Sequence, residues 1–203
     1  MTKTLKIDPS TPEADRILKA VRVLKSGGTV IFPTETVYGL AASPFSKKAV
    51  TKIFRLKGRS EHKPLSVLIS DLKELRPLVK RLSRKAAALA KRFWPGPLTL
   101  IFYKSNKIPD LVTAGNKTIG IRMPDHKVAL ALLKKCGMPL VATSANKSGK
   151  RPATDAAAAA RQIKGADLIL NGGKAKIGRA STIVDVTGAR PKILRLGSLK
   201  VKI

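Results

Sequence analysis

The sequence predicts an α/β domain whose core is a twisted, mixed parallel and antiparallel sheet flanked by helices. Short β-branched and aromatic runs alternate with helical periods along most of the chain. At 203 residues, 43% of them hydrophobic, the chain can bury one substantial core. It contains no internal repeat and no stretch rich enough in Pro, Gly or Ser to act as a linker, so residues 1–203 read as a single domain.

Thr11, Pro12 and Glu13 supply a cap, a proline at the first helical position and an acid in the first turn. Ala14, Ile17, Leu18, Val21 and Leu24 then share one helical face, and Gly27-Gly28 ends it. Residues 29–32 are β-branched and aromatic and read as a buried strand, stopped where Pro33 removes a backbone donor. The hydroxyl-rich turn that follows, with Thr34, Glu35, Thr36, Tyr38 and Gly39, lies where α/β proteins present residues to a ligand. Ser46 caps a second helix that carries Ala49, Val50, Ile53 and Phe54 and closes near Gly58. Lys57 and Arg59 thus meet at a helix C-terminus, where the dipole tolerates cations. Residues 65–69 read as a strand and 71–80 as a short helix. Ser83 caps a helix running through alanines to Phe93, stopped by Trp94-Pro95-Gly96-Pro97. Residues 98–103 read as a strand, 105–115 as a loop, and 118–122 as a strand ending on Arg122. A helix over 126–136 is closed by Gly137, and the strand 140–143 leads into a small-residue turn at 144–149. Thr154-Asp155 opens an alanine-rich helix to about Ile163. Strands at 167–170, 181–186 and 192–196 complete the chain.

Charge dominates the composition: 41 Lys and Arg stand against 12 Asp and Glu, a formal +29. The excess is uneven, with 14 basic and 7 acidic residues up to Leu75, net +7, and 27 and 5 from Arg76 onward, net +22. It implies polyanionic company, nucleic acid or nucleotide phosphates, because self-repulsion makes +29 a costly route to solubility alone. No apolar run approaches the ~18 residues of a membrane span, and MTKTLKIDPS lacks the apolar core of a signal peptide. The single cysteine, Cys136, excludes an internal disulfide, and a cytoplasmic location is expected.

Several chemistries are set aside by pattern. There is no P-loop of the GxxxxGKS/T type and no GxGxxG dinucleotide motif. His62, His126 and Cys136 are scattered, so no zinc spacing exists, and acids are too sparse for a built-in two-metal site. No nucleophile elbow surrounds Ser144, which removes a triad with His126. GGKAKIGR (172–179) reads as a mobile surface loop rather than a phosphate wrap. What remains is a set of basic and hydroxyl residues at strand ends: Thr34, Tyr38, Lys57, Arg59, Thr118, Arg122, Ser144, Asn146, Ser181 and Arg195. Such a set suits binding and charge neutralisation, not proton abstraction. Phosphoryl or nucleotidyl transfer asks for little more: positioning, in-line geometry and cations around spreading negative charge. The turn 144–149 is expected to add backbone N–H groups as an anion nest.

PTETVYGL (33–40), LKGR (56–59), KPL (63–65), WPGPLTL (94–100), IGIRMPDH (119–126), TSANKSG (143–149) and STIVD (181–185) occur in this order. Together they resemble the YrdC/Sua5/TsaC family of threonylcarbamoyl-AMP synthases, and the length resembles its short, single-domain members. The resemblance implies a YrdC/RibB-like fold with a basic concave cavity. It implies condensation of L-threonine, bicarbonate or CO2 and ATP to threonylcarbamoyl-adenylate and pyrophosphate. Downstream threonylcarbamoyl-transferase proteins then pass the group to a tRNA adenosine, the t6A modification. The family's Lys-x-Arg and Ser-x-Asn elements fall on Lys57, Arg59, Ser144 and Asn146, which the resemblance makes catalytic and nucleotide-binding. It places Thr34, Arg122, Thr143 and Ser181 at threonine or the carbamate, and Tyr38, Thr118 and Arg195 along the nucleotide. ATP enters as substrate with Mg²⁺ held by its phosphates, without protein metal ligands. tRNA or double-stranded RNA is expected on the basic surface. Ser60 stands where the family usually has proline, and Ala41 where a glycine often follows YGL.

Two other readings compete. A non-catalytic binder of double-stranded RNA or tRNA, in RNA or ribosome maturation, accounts for the charge. It has no need for Thr34, Ser144, Asn146 and Ser181 around a pocket. A carbamoyl-transfer relative of the hydrogenase-maturation type shares the fold, but the companion domains expected with it are missing from this sequence.

Overall fold

The computed structural model describes residues 2–201. Its strands are β1 (Lys3–Lys6), β2 (Val30–Phe32), β3 (Gly39–Ala42), β4 (Ser66–Leu68), β5 (Leu98–Tyr103), β6 (Thr118–Arg122), β7 (Leu140–Ser144), β8 (Leu168–Asn171), β9 (Thr182–Asp185) and β10 (Lys192–Arg195). They form one sheet in the order β1-β8-β2-β3-β7-β4-β6-β5-β9-β10. β1/β8, β8/β2, β4/β6 and β5/β9 pair in parallel; the other neighbours run antiparallel. The helices are α1 (Ala14–Lys25), α2 (Lys47–Lys57), α3 (Leu75–Leu78), α4 (Arg84–Phe93), α5 (Asp110–Thr113), α6 (Lys127–Cys136) and α7 (Ala156–Gln162). The mixed, helix-flanked sheet is the one the sequence predicts.

Local chemistry sets most helix ends. Ser46, Ser83 and Asp155 accept from the N–H groups of Ala49, Ala86 and Ala158, closing the first turns of α2, α4 and α7. Gly58 ends α2 in a left-handed conformation at φ 58°, which carries the chain from Lys57 to Arg59 without side-chain strain. At α1 the expected cap from Thr11 is not used. Glu13 occupies the cap position and makes no cap bond; its carboxylate accepts from Asp8 N–H and pairs with Arg16. The helix expected over 71–80 is a 3-10 turn (Leu72–Glu74) followed by α3. Pro77 inside that segment has no N–H and crowds the carbonyl four residues before it, so a longer helix cannot form.

Alternation along the strands divides the core between two faces. Val30, Phe32, Ala41, Leu140, Leu168 and Leu170 face α1 and α6, meeting Ile17, Val21, Leu24, Val128 and Leu132. Ile31, Leu40, Val67, Leu98, Leu100, Ile119 and Ile121 face the opposite way, toward Ile53, Ala86, Val112 and Ala159 of α2, α4, α5 and α7. The α1/α6 layer rests on the β1, β8, β2, β3 and β7 half of its face. A cavity opens on the remaining half, over β4, β6, β5, β9 and β10 and against the ends of β2, β3 and β7, and no helical residue lines it.

Candidate active site

The cavity holds about 400 Å³. Its floor is the uncovered strand face, where Ser66, Thr99, Thr118 and Gly120 stand among Leu68, Ile101 and Ile183. A Cβ on Gly120 would stand 3.1 Å from Ser66 Oγ and 3.2 Å from Thr99 Cγ2, so glycine keeps the floor low. Arg59, Arg122 and Arg195 line it together with Thr34, Thr36, Tyr38, Thr143, Ser144 and Ser181.

The turn after β2 is a closed hydroxyl relay. Thr34 donates its hydroxyl to Val37 O at 2.6 Å and contacts Thr36 Oγ1 at 2.9 Å. With the Thr34 proton committed, Thr36 donates to Thr34 and its remaining lone pair accepts from Arg122 Nη2 at 3.0 Å. Arg122 also donates through Nε to Gly96 O at 3.1 Å. Glu35 Oε1 lies 2.6 Å from Arg122 Nη2, an ion contact whose angle is not that of a hydrogen bond, and both residues are buried. Partial use of Thr34 by its own turn leaves it lining the cavity with its hydroxyl already paired.

The Lys-x-Arg and Ser-x-Asn elements meet, but not as two rows facing one ligand. Lys57 is 2% exposed and does not line the cavity. Its ammonium donates to Ser144 O and, at 2.6 Å, to Asn146 O, while Lys57 O accepts from Ser148 N–H at 2.8 Å. Lys57 therefore clamps the Ser144–Asn146 turn from behind. Burial, with some help from the Arg59 charge, pushes its ammonium down to about 8. Arg59 turns the other way, into the cavity, steadied by Nε to Lys63 O at 3.2 Å and Nη2 to Pro64 O at 2.9 Å. Asn146 is buried and off the cavity; its Nδ2 donates to Lys147 O and Lys150 O, and its Oδ1 has no partner among the described residues. The expected anion nest is not presented. The N–H groups of residues 145, 146, 147, 148 and 150 are taken up by Tyr38 O, Ser144 O, Gln162 Oε1, Lys57 O and Lys147 O.

Ser181 Oγ pairs with Thr99 Oγ1 at 2.9 Å, and Arg195 reaches across the rim to Ser181 O at 2.8 Å. Tyr38 packs its ring in the core and places its hydroxyl on the backbone, donating to Gly173 O at 2.6 Å and accepting from Gly172 N–H. Burial pushes that phenol up to about 12, so it stays protonated. The loop 172–179, expected to be mobile, is strapped to the cavity wall through Ala175 N–H to Thr154 O, Ile177 N–H to Glu35 O and Gly178 N–H to Thr36 O. Of the residues singled out in the sequence, all line the cavity except Lys57 and Asn146. Sequence reasoning assigns no role to Ser66, Thr99 and Gly120 and names Glu35 and Thr36 only as members of the ligand-presenting turn; an isolated glycine inside a strand is the available signal for Gly120. Among the described residues no three His, Cys, Asp or Glu side chains gather in one place, and no helix is long and apolar enough to cross a membrane.

The fold and site define an open α/β sheet protein with an arginine- and hydroxyl-lined cavity on its uncovered face. The chain belongs to the Sua5/YciO/YrdC family, whose model, described as "Telomere recombination", matches residues 22–197. It is 42% identical over 188 residues to a threonylcarbamoyl-AMP synthase of Pyrococcus abyssi, covering 92% of this chain and 55% of that protein. It is 44% identical over 186 residues to a threonylcarbamoyl-AMP synthase of Bacillus subtilis, covering 91% and 54%. The chain thus spans about half the length of these curated relatives. The crystal structure of P. abyssi Sua5 complexed with L-threonine superposes with a TM-score of 0.93 at 41% identity, over 97% of this chain and 58% of that one.

Proposed function

We propose that the protein is a threonylcarbamoyl-AMP synthase, a nucleotidyltransferase that uses L-threonine, bicarbonate or CO2 and MgATP to supply t6A modification of tRNA. The carrying observation is a single cavity that sets Arg59, Arg122 and Arg195 against the Ser144 turn, in a family whose named relatives have this activity. Threonine's amino nitrogen forms a bond to the carbon of bicarbonate, releasing water and a proton, and gives an anionic carbamate. A carbamate oxygen then attacks the α-phosphorus of ATP, the bond to the β-phosphate bridge breaks, and pyrophosphate leaves. Both partners are anions, so the first need is to offset their repulsion, and three arginines around one small volume do so. Arg122 takes the threonine carboxylate, and Arg59 faces the phosphates. Mg²⁺ arrives with ATP as part of the substrate. Partner transferases then carry the group to tRNA.

Pyrophosphate release from ATP is expected only with threonine and bicarbonate both supplied. A radiolabelled-ATP assay omitting each in turn checks it, and equal turnover without threonine would overturn the reading. Serine should be the poorer substrate, because burying the extra methyl contributes ~1 kcal/mol.

The charge supports structured RNA as a further partner, on a surface separate from the cavity. Arg84, Lys91 and Arg92 are exposed on α4, and Arg81, Arg84, Lys85 and the half-exposed Tyr103 line a concavity at its start. Those cations would meet phosphates, so log K for tRNA should fall with log salt at roughly 0.9 per phosphate contacted. Changing Arg84, Lys91 and Arg92 together to Ala should weaken binding and flatten that slope in a tRNA titration at several salt concentrations. Unchanged affinity and slope would discard α4 as the site.

A further inference from the structure

We propose that Glu35 is a positioning residue, whose buried carboxylate holds the Arg122 guanidinium from behind and aims its remaining N–H groups into the cavity. Only three charged side chains are buried among the described residues: Glu35, Lys57 and Arg122. Lys57 braces the Ser144 turn, and the other two face each other at 2.6 Å. A buried ion pair is a poor device for stability alone, since desolvation consumes most of its attraction and apolar residues of similar volume serve as well. Its place against the cavity wall gives it another use.

The guanidinium has five N–H groups. Nε–H goes to Gly96 O, and the Nη2 edge goes to Thr36 Oγ1 and Glu35. Nη1 makes no hydrogen bond among the described residues, and Arg122 lines the cavity. An anion entering there would meet that free edge. Arg195 lines the same cavity, where burial first, and the Arg122 charge after it, lower its affinity for a proton. The two arginines therefore repel, and the Glu35 carboxylate is the opposing charge that keeps Arg122 seated. Glu35 is itself fixed: its carbonyl accepts from Ile177 N–H at 2.8 Å, and the flanking Thr34 and Thr36 hydroxyls are paired with each other. At 2.6 Å a charged carboxylate holds the guanidinium more strongly than an uncharged amide of the same shape, so the amide should not replace it.

This inference rests on the reading of Arg122 as the threonine-carboxylate partner, and its test separates the two. Glu35→Gln, Arg122→Lys and the double variant are compared by steady-state kinetics and by the 15Nε resonance of Arg122. Glu35→Gln should raise the threonine KM at least about tenfold, with kcat and the ATP KM moving less than about threefold. In the Arg122→Lys background the same change should add less than about twofold, since a residue acting through another loses its effect once that partner is altered. Equal factors in both backgrounds, or threonine and ATP KM rising together, would overturn the proposal. The Arg122 Nε–H signal should be slowly exchanging in the unaltered protein and broadened in Glu35→Gln; a signal that persists unchanged overturns it without reference to substrate. If the unaltered protein shows no threonine-dependent turnover while that signal still depends on Glu35, the positioning role stands and the functional reading fails. Should Glu35→Gln not fold, Glu35→Asp, which withdraws the charge by one methylene, carries the test with a threonine KM raised about threefold.

Discussion

Lys57→Ala, and the nearly isosteric Lys57→Met, should each lower turnover at least ~100-fold, equivalent to about 2.7 kcal/mol of transition-state stabilisation. The reason differs from the one the motif suggests. Lys-x-Arg reads as two cations facing phosphates, with little packing at stake near a helix end. Instead the Lys57 ammonium is buried and holds two carbonyls of the Ser144–Asn146 turn. Without it, Asn146 O loses its donor, at about 1–3 kcal/mol, Ser144 O keeps only the Asn146 N–H, and the turn that lines the cavity is free to shift. Turnover and stability should fall together, and Lys57→Met should not rescue either. The pH dependence separates this clamp from a simple packing role. The carbonyls favour the charged form, while burial and Arg59 draw the ammonium down to about 8. Turnover should therefore decline on the alkaline side near pH 8 as the clamp loses its charge. Stability should move the opposite way. Between about 8 and the ordinary lysine value the unfolded chain holds a proton that the folded chain has released, so ΔG of unfolding rises with pH through that window. A kcat/KM profile and denaturant melts across pH 7 to about 10 check both signs. Near-normal turnover in Lys57→Met would remove the clamp from the mechanism.

The parts of this fold legible in the sequence are those decided locally. Ser46, Ser83 and Asp155 cap helices because the donors they satisfy lie three residues away. β1 was not legible: KTLK is largely exposed and has no alternation to bury, and its strand state comes from pairing with β8. β3 was not legible either: GLAA has low strand propensity and only its Gly39 is placed by the sequence, in the turn, while pairing with β2 on one side and β7 on the other makes it a strand. α5 is a four-residue helix inside a segment read as loop, too short for a periodic signal. The same division runs through the site. Ordered motifs identified which residues gather, and most of them do line one cavity. Where each side chain points was not legible, because it depends on partners far along the chain. Lys57 turns to Ser144 and Asn146, and Thr36 and Glu35 acquire their role only when Arg122 arrives. The supposed nest in 144–149 fails for the same reason: Tyr38, Lys57 and Gln162 take its N–H groups.

Arg59→Ala should also cost at least ~100-fold in turnover, but with the melting temperature almost unchanged. Arg59 is the member of the Lys-x-Arg pair that enters the cavity, and no carboxylate pairs with it among the described residues. Its own bonds run to the carbonyls of Lys63 and Pro64, in an exposed stretch where water can replace a lost donor. Removing the side chain therefore leaves the scaffold whole. In the proposed reaction, what disappears is a fixed cation where two anions would approach and negative charge would spread as pyrophosphate departs, a loss of ~3 kcal/mol in the transition state. Arg59→Lys restores the charge without the planar fork that Lys63 O and Pro64 O hold in place, so it should regain only a small part of the rate. Kinetics with ATP varied, beside a thermal melt of each variant, decide the matter. A drop in kcat with an intact melt is the expected pattern, against the joint loss at Lys57. If Arg59→Ala turns over at a near-normal rate, the charge at the α-phosphorus is offset by other groups, and the division of labour between the two basic residues is wrong.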